Sequence, residues 1–325
     1  MRLNWIFTWL FFQLLMAAAT PPLLAGTPAL IEVTDFGENP GNLGMQVYLP
    51  AGLEENDPLV VVAHGCFQSV EVVFEHSGWV DMANRYGFAL LFPQTNKENE
   101  PFGACFRTWY EEHQVRGAGE PWSIRNQIAW MLETHHLDPD RVYMTGQSSG
   151  GLVTAVMLAS YPELFSAGAI QSAYPYRCAN TFEELGPCSQ AQKQLDIEEI
   201  ADLLLEAAPG YTGPRPPVAL WHGAGDTLIV PANLDLQLKQ WAVALGAVTE
   251  KGAEDRIDGQ RRVRYPDSED TVVIETVLVE GMDHAIAIDP DGVRGCGSEA
   301  PYIVDVDICA AYWIGRWFGV IPEKD

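Results

Sequence analysis

Short apolar runs rich in Val, Ile and Leu alternate along this chain with longer stretches whose apolar residues recur at helical spacing. The alternation is typical of an α/β fold, in which a mostly parallel, doubly wound sheet carries helices on both faces. It predicts strands over residues 59–63, 88–92, 142–145, 167–171, 218–222 and 272–279. It also predicts helices over residues 70–86, 123–136, 149–161, 197–207, 233–245 and 306–318, and antiparallel edge strands over residues 30–34 and 45–49.

The chain divides into a short leader and one long module. The leader carries one charge, Arg2, followed by an apolar run and small residues. Because Thr8 and Gln13 interrupt this run, and a membrane span needs about 20 apolar residues, residues 1–25 are predicted to be a signal peptide rather than a membrane anchor. Residues 26–325 contain no repeat, no Gly/Ser or Thr/Pro linker and no long charge run, which predicts a single domain.

The charge balance narrows the choice of ligand. The chain has 44 Asp and Glu residues against 19 Lys and Arg, a formal net charge of −25. This balance excludes a nucleic acid held through its phosphates and argues against an anionic membrane surface, so a neutral ligand is favoured. No phosphate-binding loop, zinc motif or dinucleotide fingerprint occurs, so neither a cofactor nor a metal is expected. Nothing in the sequence implies a protein partner.

Six Cys residues indicate an oxidising compartment outside the cytoplasm, either the extracellular medium or the periplasm. They show no C-x-x-C pair of the kind that binds zinc, so disulfides are favoured over a metal. Six Cys allow 15 connectivities. Since they fall into three neighbouring pairs, each able to close one surface loop, the predicted disulfides are Cys66 with Cys105, Cys178 with Cys188, and Cys296 with Cys309.

A candidate nucleophile lies in Gly146-Gln147-Ser148-Ser149-Gly150, a G-x-S-x-G motif. The motif directly follows the predicted strand 142–145 and opens the helix that begins at residue 149. On such a tight turn between strand and helix, Ser148 projects its hydroxyl above the sheet, and the flanking glycines let strand and helix approach. The placement therefore indicates nucleophilic catalysis by Ser148.

A serine hydroxyl needs a general base, which in this fold follows the nucleophile and the acid along the chain. Only His222 and His284 come after Ser148. His222 ends a buried type of strand, where a core or loop-anchoring histidine is expected. His284 lies in a late loop from which its ring can reach over the sheet edge, so it is the predicted base.

The acid that orients the base is expected one strand earlier on the same sheet edge. Asp226 lies in Gly223-Ala224-Gly225-Asp226, where two glycines permit a tight turn toward the neighbouring loop. Asp235 falls on the following helix, and Asp283 adjoins the base and points away from it. Asp226 is therefore the predicted acid.

Attack by a serine on a carbonyl carbon gives a tetrahedral intermediate with a negatively charged oxygen, the oxyanion. Two backbone amides are expected to bind it. The Ser149 amide, directly after the nucleophile, is one of them. The Cys66 amide, in the turn that ends the predicted strand 59–63, is the other, and a disulfide to Cys105 would brace that turn.

Aromatic residues near the long loops are candidates for substrate contacts. Trp109 and Tyr110 lie in the stretch 93–121, and Trp122 follows it. Together with Phe67, Trp109 and Trp122 are predicted to line an apolar substrate cleft. The alternative for the tryptophans is core packing beneath a loop closed by a disulfide.

These residues resemble the secreted α/β-hydrolase esterases that include extracellular poly(3-hydroxybutyrate) depolymerases and related feruloyl and acetylxylan esterases. The resemblance covers most of residues 55–175, and Gly281-Met282-Asp283-His284 extends it. It implies an α/β-hydrolase fold, with Ser148 as nucleophile, Asp226 as acid, His284 as base, and oxyanion amides at Cys66 and Ser149. The shared segments are Ala63-His64-Gly65-Cys66-Phe67-Gln68-Ser69, Phe92-Pro93-Gln94, residues 105–109, Arg116-Gly117-Ala118-Gly119-Glu120, residues 141–151, and Tyr161-Pro162-Glu163-Leu164-Phe165.

The resemblance implies a secreted serine esterase that hydrolyses poly(3-hydroxybutyrate)-type polyesters or their oligomers through an acyl-enzyme intermediate. A feruloyl or acetylxylan esterase acting on plant cell-wall polysaccharide esters is the alternative in the same class. The chain departs from the group at Ser149, usually Ala, and at Phe67, often Thr, and it shows no polymer-binding module. Oligomers and amorphous polyester are therefore expected to be better substrates than crystalline polymer. From another class, a catalytically silent polymer-binding protein is disfavoured because the order Ser, Asp, His is intact.

Overall fold

A ten-stranded sheet forms the centre of the protein. The structure, a computed structural model, describes residues 29–323. The leader predicted over residues 1–25 lies outside these residues. The strands of this sheet, in chain order, are β1 (Ile31–Val33), β2 (Gly44–Tyr48), β3 (Leu59–Ala63), β4 (Ala89–Gln94), β5 (Val142–Gln147), β6 (Ala167–Gln171), β7 (Val218–Gly223), β8 (Ala253–Ile257), β9 (Gln260–Pro266) and β10 (Val272–Val279). A separate two-stranded sheet pairs β11 (Ile286–Ile288) with β12 (Ile303–Asp305).

Helices connect most of these strands. They are α1 (Val70–His76), α2 (Trp79–Tyr86), α3 (Gly119–His135), α4 (Ser149–Ser160), α5 (Leu185–Ser189), α6 (Ile197–Glu206), α7 (Ala232–Leu245) and α8 (Ala310–Phe318). Every residue of α4 is buried. This helix is therefore part of the core, and the packing around it fixes the position of its first turn.

The strand order of the large sheet is β1-β2-β4-β3-β5-β6-β7-β10-β9-β8. The central strands β4-β3-β5-β6-β7-β10 are mutually parallel, and the pairs at either end of the sheet are antiparallel. The carboxyl ends of the parallel strands therefore meet along one edge, where ligands bind in sheets of this kind.

Two hydrophobic layers cover the two faces of the sheet. Along β3, Leu59 and Val61 pack into one layer and Val60 and Val62 into the other, because successive side chains of a strand point to opposite faces. The first layer includes residues of α3, α4, α6 and α7, and the second includes residues of α1, α2 and α8. The prediction of a mostly parallel sheet with helices on both faces is confirmed.

The helix predicted over residues 70–86 is wrong as one element, because it breaks at Gly78 between α1 and α2. Gly78 adopts a left-handed conformation with φ of 83°. A Cβ at this position would lie 2.5 Å from the Cys296 Sγ. The disulfide of Cys296 packs against the break, and this long-range contact leaves no trace in the local periodicity.

The hairpin of β8 and β9 is absent from the sequence prediction. Its strands are rich in charged residues, and it is joined at Asp258 and Gly259, which both have positive φ. Arg262 on β9 bonds Asp255 on β8 through two nitrogens, at 2.8 and 2.6 Å. Charge pairing across an exposed edge thus replaces the apolar alternation on which the prediction relied.

The six Cys residues form the three neighbouring pairs that the sequence predicts: Cys66–Cys105, Cys178–Cys188 and Cys296–Cys309. Among residues 29–323, no helix is both long enough and apolar enough to cross a bilayer.

Candidate active site

Four loops of the candidate site follow parallel strands at one edge of the sheet. The Cys66 loop follows β3, Ser148 follows β5, Asp226 follows β7 and His284 follows β10. Because β3 adjoins β5, the Cys66 loop lies beside the nucleophile, and because β7 adjoins β10, Asp226 lies beside His284. The topology therefore collects residues that are up to 218 positions apart in the numbering.

The backbone at Ser148 is strained. Its φ is 59° and its ψ is −121°, a conformation that L-residues rarely adopt. The Ser148 amide donates to the Gln171 carbonyl oxygen at 3.0 Å, which ties the turn to β6. Strained turns that persist in this way are characteristic of functional sites, and here the turn lifts the serine above the end of β5.

The glycines of the motif are required by close backbone approach. A Cβ at Gly150 would lie 2.2 Å from the Ala63 carbonyl oxygen, and one at Gly146 would lie 2.5 Å from the Gly150 backbone. Both distances are far below van der Waals contact. The turn can therefore close against the end of β3 only when these two positions lack side chains.

Replacing Gly150 by Ala is expected to destabilise the protein by about 3 kcal/mol, since the new methyl group must displace backbone rather than a flexible side chain. Gly186 is the matched control, because a Cβ there meets nothing within 4 Å. Urea unfolding of Gly150→Ala and Gly186→Ala measures the difference. Equal free energies of unfolding for the two variants would contradict the packing argument.

Asp226 and His284 form a buried pair. The His284 Nδ1 lies 2.7 Å from the Asp226 Oδ2. The other carboxylate oxygen accepts hydrogen bonds from the Leu228 and Ile229 amides, each at 2.9 Å. Since the carboxylate can only accept, the His284 Nδ1 carries the proton, and the Nε2 of a neutral ring is left free to accept one.

The charge state of Asp226 follows from these bonds. Burial alone would raise the pKa of its carboxyl group, but hydrogen bonds from His222 and His284 outweigh burial and hold the pKa well below the usual range. The residue is therefore a carboxylate at neutral pH. It can orient the imidazole and stabilise a positive charge that develops on it.

His222 anchors the acid loop instead of facing the cavity. Its ring is fully buried, and its Nε2 lies 2.7 Å from the Ile229 carbonyl oxygen and 3.4 Å from the Asp226 Oδ2. Because a carbonyl oxygen only accepts, the Nε2 carries the proton. These contacts match a loop-anchoring histidine, the role that its position at a strand end predicts.

The Cys66 turn presents an unpaired amide. Among the described residues, neither backbone nor side chain accepts a hydrogen bond from the Cys66 amide. Ser149 is the first residue of α4, and the amide of a first helical residue has no partner within its helix. Both residues line the same cavity as Ser148, and their amides are the candidates for holding an anionic oxygen.

His64 supports this turn from within the core. Burial lowers its pKa to about 4, so the ring is neutral. Its Nδ1 lies 2.8 Å from the Gly65 carbonyl oxygen, and its Nε2 accepts from the Thr95 amide at 3.3 Å. In the sequence, His64 stands out only as part of the segment shared with the esterases. Its position directly after a fully apolar strand is the signal that it is buried.

The candidate residues open into a cavity of about 260 Å³. Phe67 and Trp109 line it, as the sequence predicts. The prediction that Trp122 also lines it is wrong, because Trp122 lies in a separate depression, where its Nε1 donates to the Glu38 Oε2 at 2.9 Å. The cavity is lined by Cys66, Phe67, Glu100, Phe102, Gly103, Cys105, Trp109, Gln147, Ser148, Ser149, Leu152, Tyr174, Phe182, Leu185, Ser189, Leu228, Ile229, His284 and Tyr302.

Glu100 also lines the cavity, although no pattern in the sequence indicates it. It is buried, and its two carboxylate oxygens accept hydrogen bonds from the Phe102 amide at 3.0 Å and the Gly103 amide at 2.6 Å. The Gly103 carbonyl oxygen in turn accepts from the Phe67 amide at 2.6 Å. In a chain with so many acids, no local signal distinguishes this one from a solvated surface carboxylate.

Known proteins resemble this chain in sequence and in structure. A poly(3-hydroxyalkanoate) depolymerase C from Paucimonas lemoignei is 36% identical over 295 residues, covering 90% of this chain and 70% of the relative. A feruloyl esterase B from Talaromyces funiculosus is 30% identical over 284 residues, covering 85% and 78%. The structure of an acetyl xylan esterase from Aspergillus awamori superimposes with a TM-score of 0.75 at 26% identity, covering 90% of this chain and all of that one.

The likeness to that esterase structure identifies the α/β-hydrolase fold. The family model described as Esterase PHB depolymerase matches residues 43–266, which include β2 through β9 and with them Ser148 and Asp226. With a match over more than half of its length, the chain belongs to the Esterase PHB depolymerase family of carboxylic ester hydrolases.

Proposed function

We propose that the protein is a secreted serine esterase that hydrolyses poly(3-hydroxybutyrate)-type polyesters or their oligomers through an acyl-enzyme. The observation that carries the proposal is the 2.7 Å pair of His284 and Asp226 beside a cavity that Ser148 shares with His284. The apolar lining of that cavity suits a neutral aliphatic ester, whose methyl and methylene groups it would bury.

In the proposed first half-reaction, the Ser148 Oγ attacks the ester carbonyl carbon while the His284 Nε2 takes its proton. The carbonyl oxygen becomes an oxyanion held by the Cys66 and Ser149 amides. When the carbon–oxygen bond to the alcohol breaks, His284 returns the proton to the leaving oxygen. Asp226 stabilises the imidazolium throughout.

In the second half-reaction, His284 removes a proton from water, which attacks the acyl-enzyme carbonyl. The same two amides hold the second oxyanion. Collapse of this intermediate returns the proton to Ser148 and releases the carboxylic acid. No cofactor takes part in the proposed cycle.

Export is part of the proposal. The three disulfides are typical of proteins that fold in an oxidising space, and the predicted leader provides the route. The extracellular medium and the periplasm both meet this condition. The substrate is accordingly expected outside the cytoplasm.

The alternative function is that of a feruloyl or acetylxylan esterase. It is supported by the TM-score of 0.75 to the acetyl xylan esterase and by the 30% identity to the feruloyl esterase. The apolar cavity favours an aliphatic polyester over a hydroxyl-rich polysaccharide. The higher identity to the polyhydroxyalkanoate depolymerase, 36%, points the same way.

Initial rates on 3-hydroxybutyrate trimer, methyl ferulate and acetylated xylan decide between these substrates. We expect the highest kcat/KM on the trimer. The Ser148→Ala variant is the control in each assay, and a fluorophosphonate label on Ser148 would separate an esterase from a silent binding protein. Rapid hydrolysis of methyl ferulate with no release from the trimer would overturn the polyester proposal.

Among forms of the polymer, trimer and amorphous granules are expected to be hydrolysed much faster than crystalline film. The cavity of about 260 Å³ admits only a short chain segment, and in a crystal that segment must first leave the lattice. Product release at equal enzyme concentration tests this expectation. Comparable rates on amorphous and crystalline polymer would contradict it.

A further inference from the structure

Four exposed apolar side chains surround the mouth of the cavity, and we call them the apolar rim: Phe67, Phe102, Phe182 and Leu228. Their exposed fractions are 69%, 77%, 50% and 53%. All four line the cavity that contains Ser148. Large apolar side chains gathered around one opening mark an interaction surface, whereas single ones scattered over a protein do not.

Phe67 is mostly exposed and yet adopts a strained backbone conformation. Its φ of 62° lies in the left-handed region, which is unfavourable for a residue with a Cβ. Its ring lies over Gly103, where a Cβ would be 3.1 Å from the ring carbons. The protein thus holds a mostly exposed aromatic side chain in a strained conformation next to the Cys66 amide.

The other aromatic members of the apolar rim are also held in place. The Phe102 amide donates to the Glu100 Oε1 at 3.0 Å. The rings of Phe102 and Phe182 lie 6.1 Å apart, and the Phe182 ring meets the buried Trp109 ring edge-on at 6.1 Å. These contacts join the two phenylalanines into one apolar surface.

A disulfide and the Asp226 carboxylate fix the segments that carry Phe182 and Leu228. Phe182 lies in the segment closed by the Cys178–Cys188 disulfide. The Leu228 amide donates to the Asp226 Oδ1 at 2.9 Å, so this member is positioned by the same carboxylate that holds His284. A rigid surface binds without losing much conformational freedom.

We propose that the apolar rim docks the enzyme face-on to the surface of a water-insoluble, uncharged polyester and so brings a chain segment to Ser148. This inference rests on the proposed function, because it names the physical form of the substrate that the same site takes. Because the rim adjoins the cavity, the molecule that binds the rim is the one that presents an ester group to Ser148. The net charge of −25 opposes binding to anionic lipid surfaces, which favours a neutral polymer over a membrane.

Adsorption of inactive protein tests the docking surface independently of turnover. In a Ser148→Ala background, Phe102→Ser with Phe182→Ser is compared with Leu205→Ser and Val293→Ser, which remove two exposed apolar side chains outside the cavity lining. The probe is amorphous poly(3-hydroxybutyrate) particles. We expect the partition coefficient to fall about tenfold for the rim pair and to stay unchanged for the control pair.

Thermal midpoints establish that each variant is folded. If the rim pair does not fold, Phe102→Ser alone serves, because that side chain is 77% exposed. Equal adsorption of the rim and control variants would overturn the inference. Rim-dependent binding to phosphatidylcholine vesicles that matches binding to the particles would overturn the assignment to polyester.

The inference and the proposed function fail separately. If the unmodified enzyme does not hydrolyse the soluble trimer, the proposed esterase activity on polyester is wrong, whatever the adsorption result. If the trimer is hydrolysed but adsorption does not depend on the rim, the activity stands and the docking surface is wrong.

Discussion

Replacing Ser148 by Ala, or His284 by Ala, is expected to lower kcat by about 10⁴- to 10⁶-fold, because members of such a triad act as one unit. In the proposed cycle, Ser148→Ala removes the oxygen that attacks the ester, and His284→Ala removes the nitrogen that accepts the proton. The measurement is kcat on 3-hydroxybutyrate trimer, with urea unfolding as the check on folding. The double variant is expected to lose little more than either single one.

The neighbouring residues provide graded controls for this prediction. Asp226→Asn is expected to lose somewhat less, since the nucleophile and base remain. His222→Ala is expected to lose least, because His222 contacts the Ile229 carbonyl oxygen and the Asp226 carboxylate but none of the reacting atoms. If His222→Ala were inactive while His284→Ala kept most of its activity, the assignment of the base would be wrong.

Removal of the Cys66–Cys105 disulfide by paired Cys→Ser substitutions is expected to lower the free energy of unfolding by about 4 kcal/mol. The bond joins positions 39 residues apart, and the loss of entropy that it imposes on the unfolded chain grows with loop length. It also braces the turn that carries the proposed oxyanion amide. The same variant is therefore expected to lower kcat.

The Cys296–Cys309 disulfide is the matched control. Its positions are 13 residues apart and outside the cavity lining, so its removal is expected to lower the free energy of unfolding by about 3 kcal/mol without the same loss of kcat. Urea unfolding and kcat on the trimer are measured for both variants. Equal changes in kcat would show that the Cys66–Cys105 bond has no special role at the site.

The sequence predicts the disulfide pairing correctly but not the break between α1 and α2 or the hairpin of β8 and β9. The pairing was predictable because each bond joins neighbouring Cys residues in the sequence. The break between α1 and α2 was not, because it depends on the contact of Gly78 with Cys296, more than 200 positions away. The charged hairpin of β8 and β9 was not predicted for a different reason, since cross-strand ion pairs and not an apolar face stabilise it.

The sequence by itself determined the α/β architecture and the candidate residues Ser148, Asp226 and His284. Hydrophobic periodicity is local, and the carboxyl ends of parallel strands meet at one edge whatever the details of packing. The tight glycine turn around Ser148 is likewise encoded in consecutive residues.

Only the tertiary structure decided what surrounds these residues. Whether a side chain lines the cavity depends on how separate loops pack against each other, and loops carry no periodicity that reports this. Trp122 therefore lies elsewhere, although it follows the loop that contains Trp109. The apolar rim, by contrast, is assembled from Phe67, Phe102, Phe182 and Leu228 on separate segments of the chain, and ring contacts such as that of Phe102 with Phe182 join residues distant in the sequence.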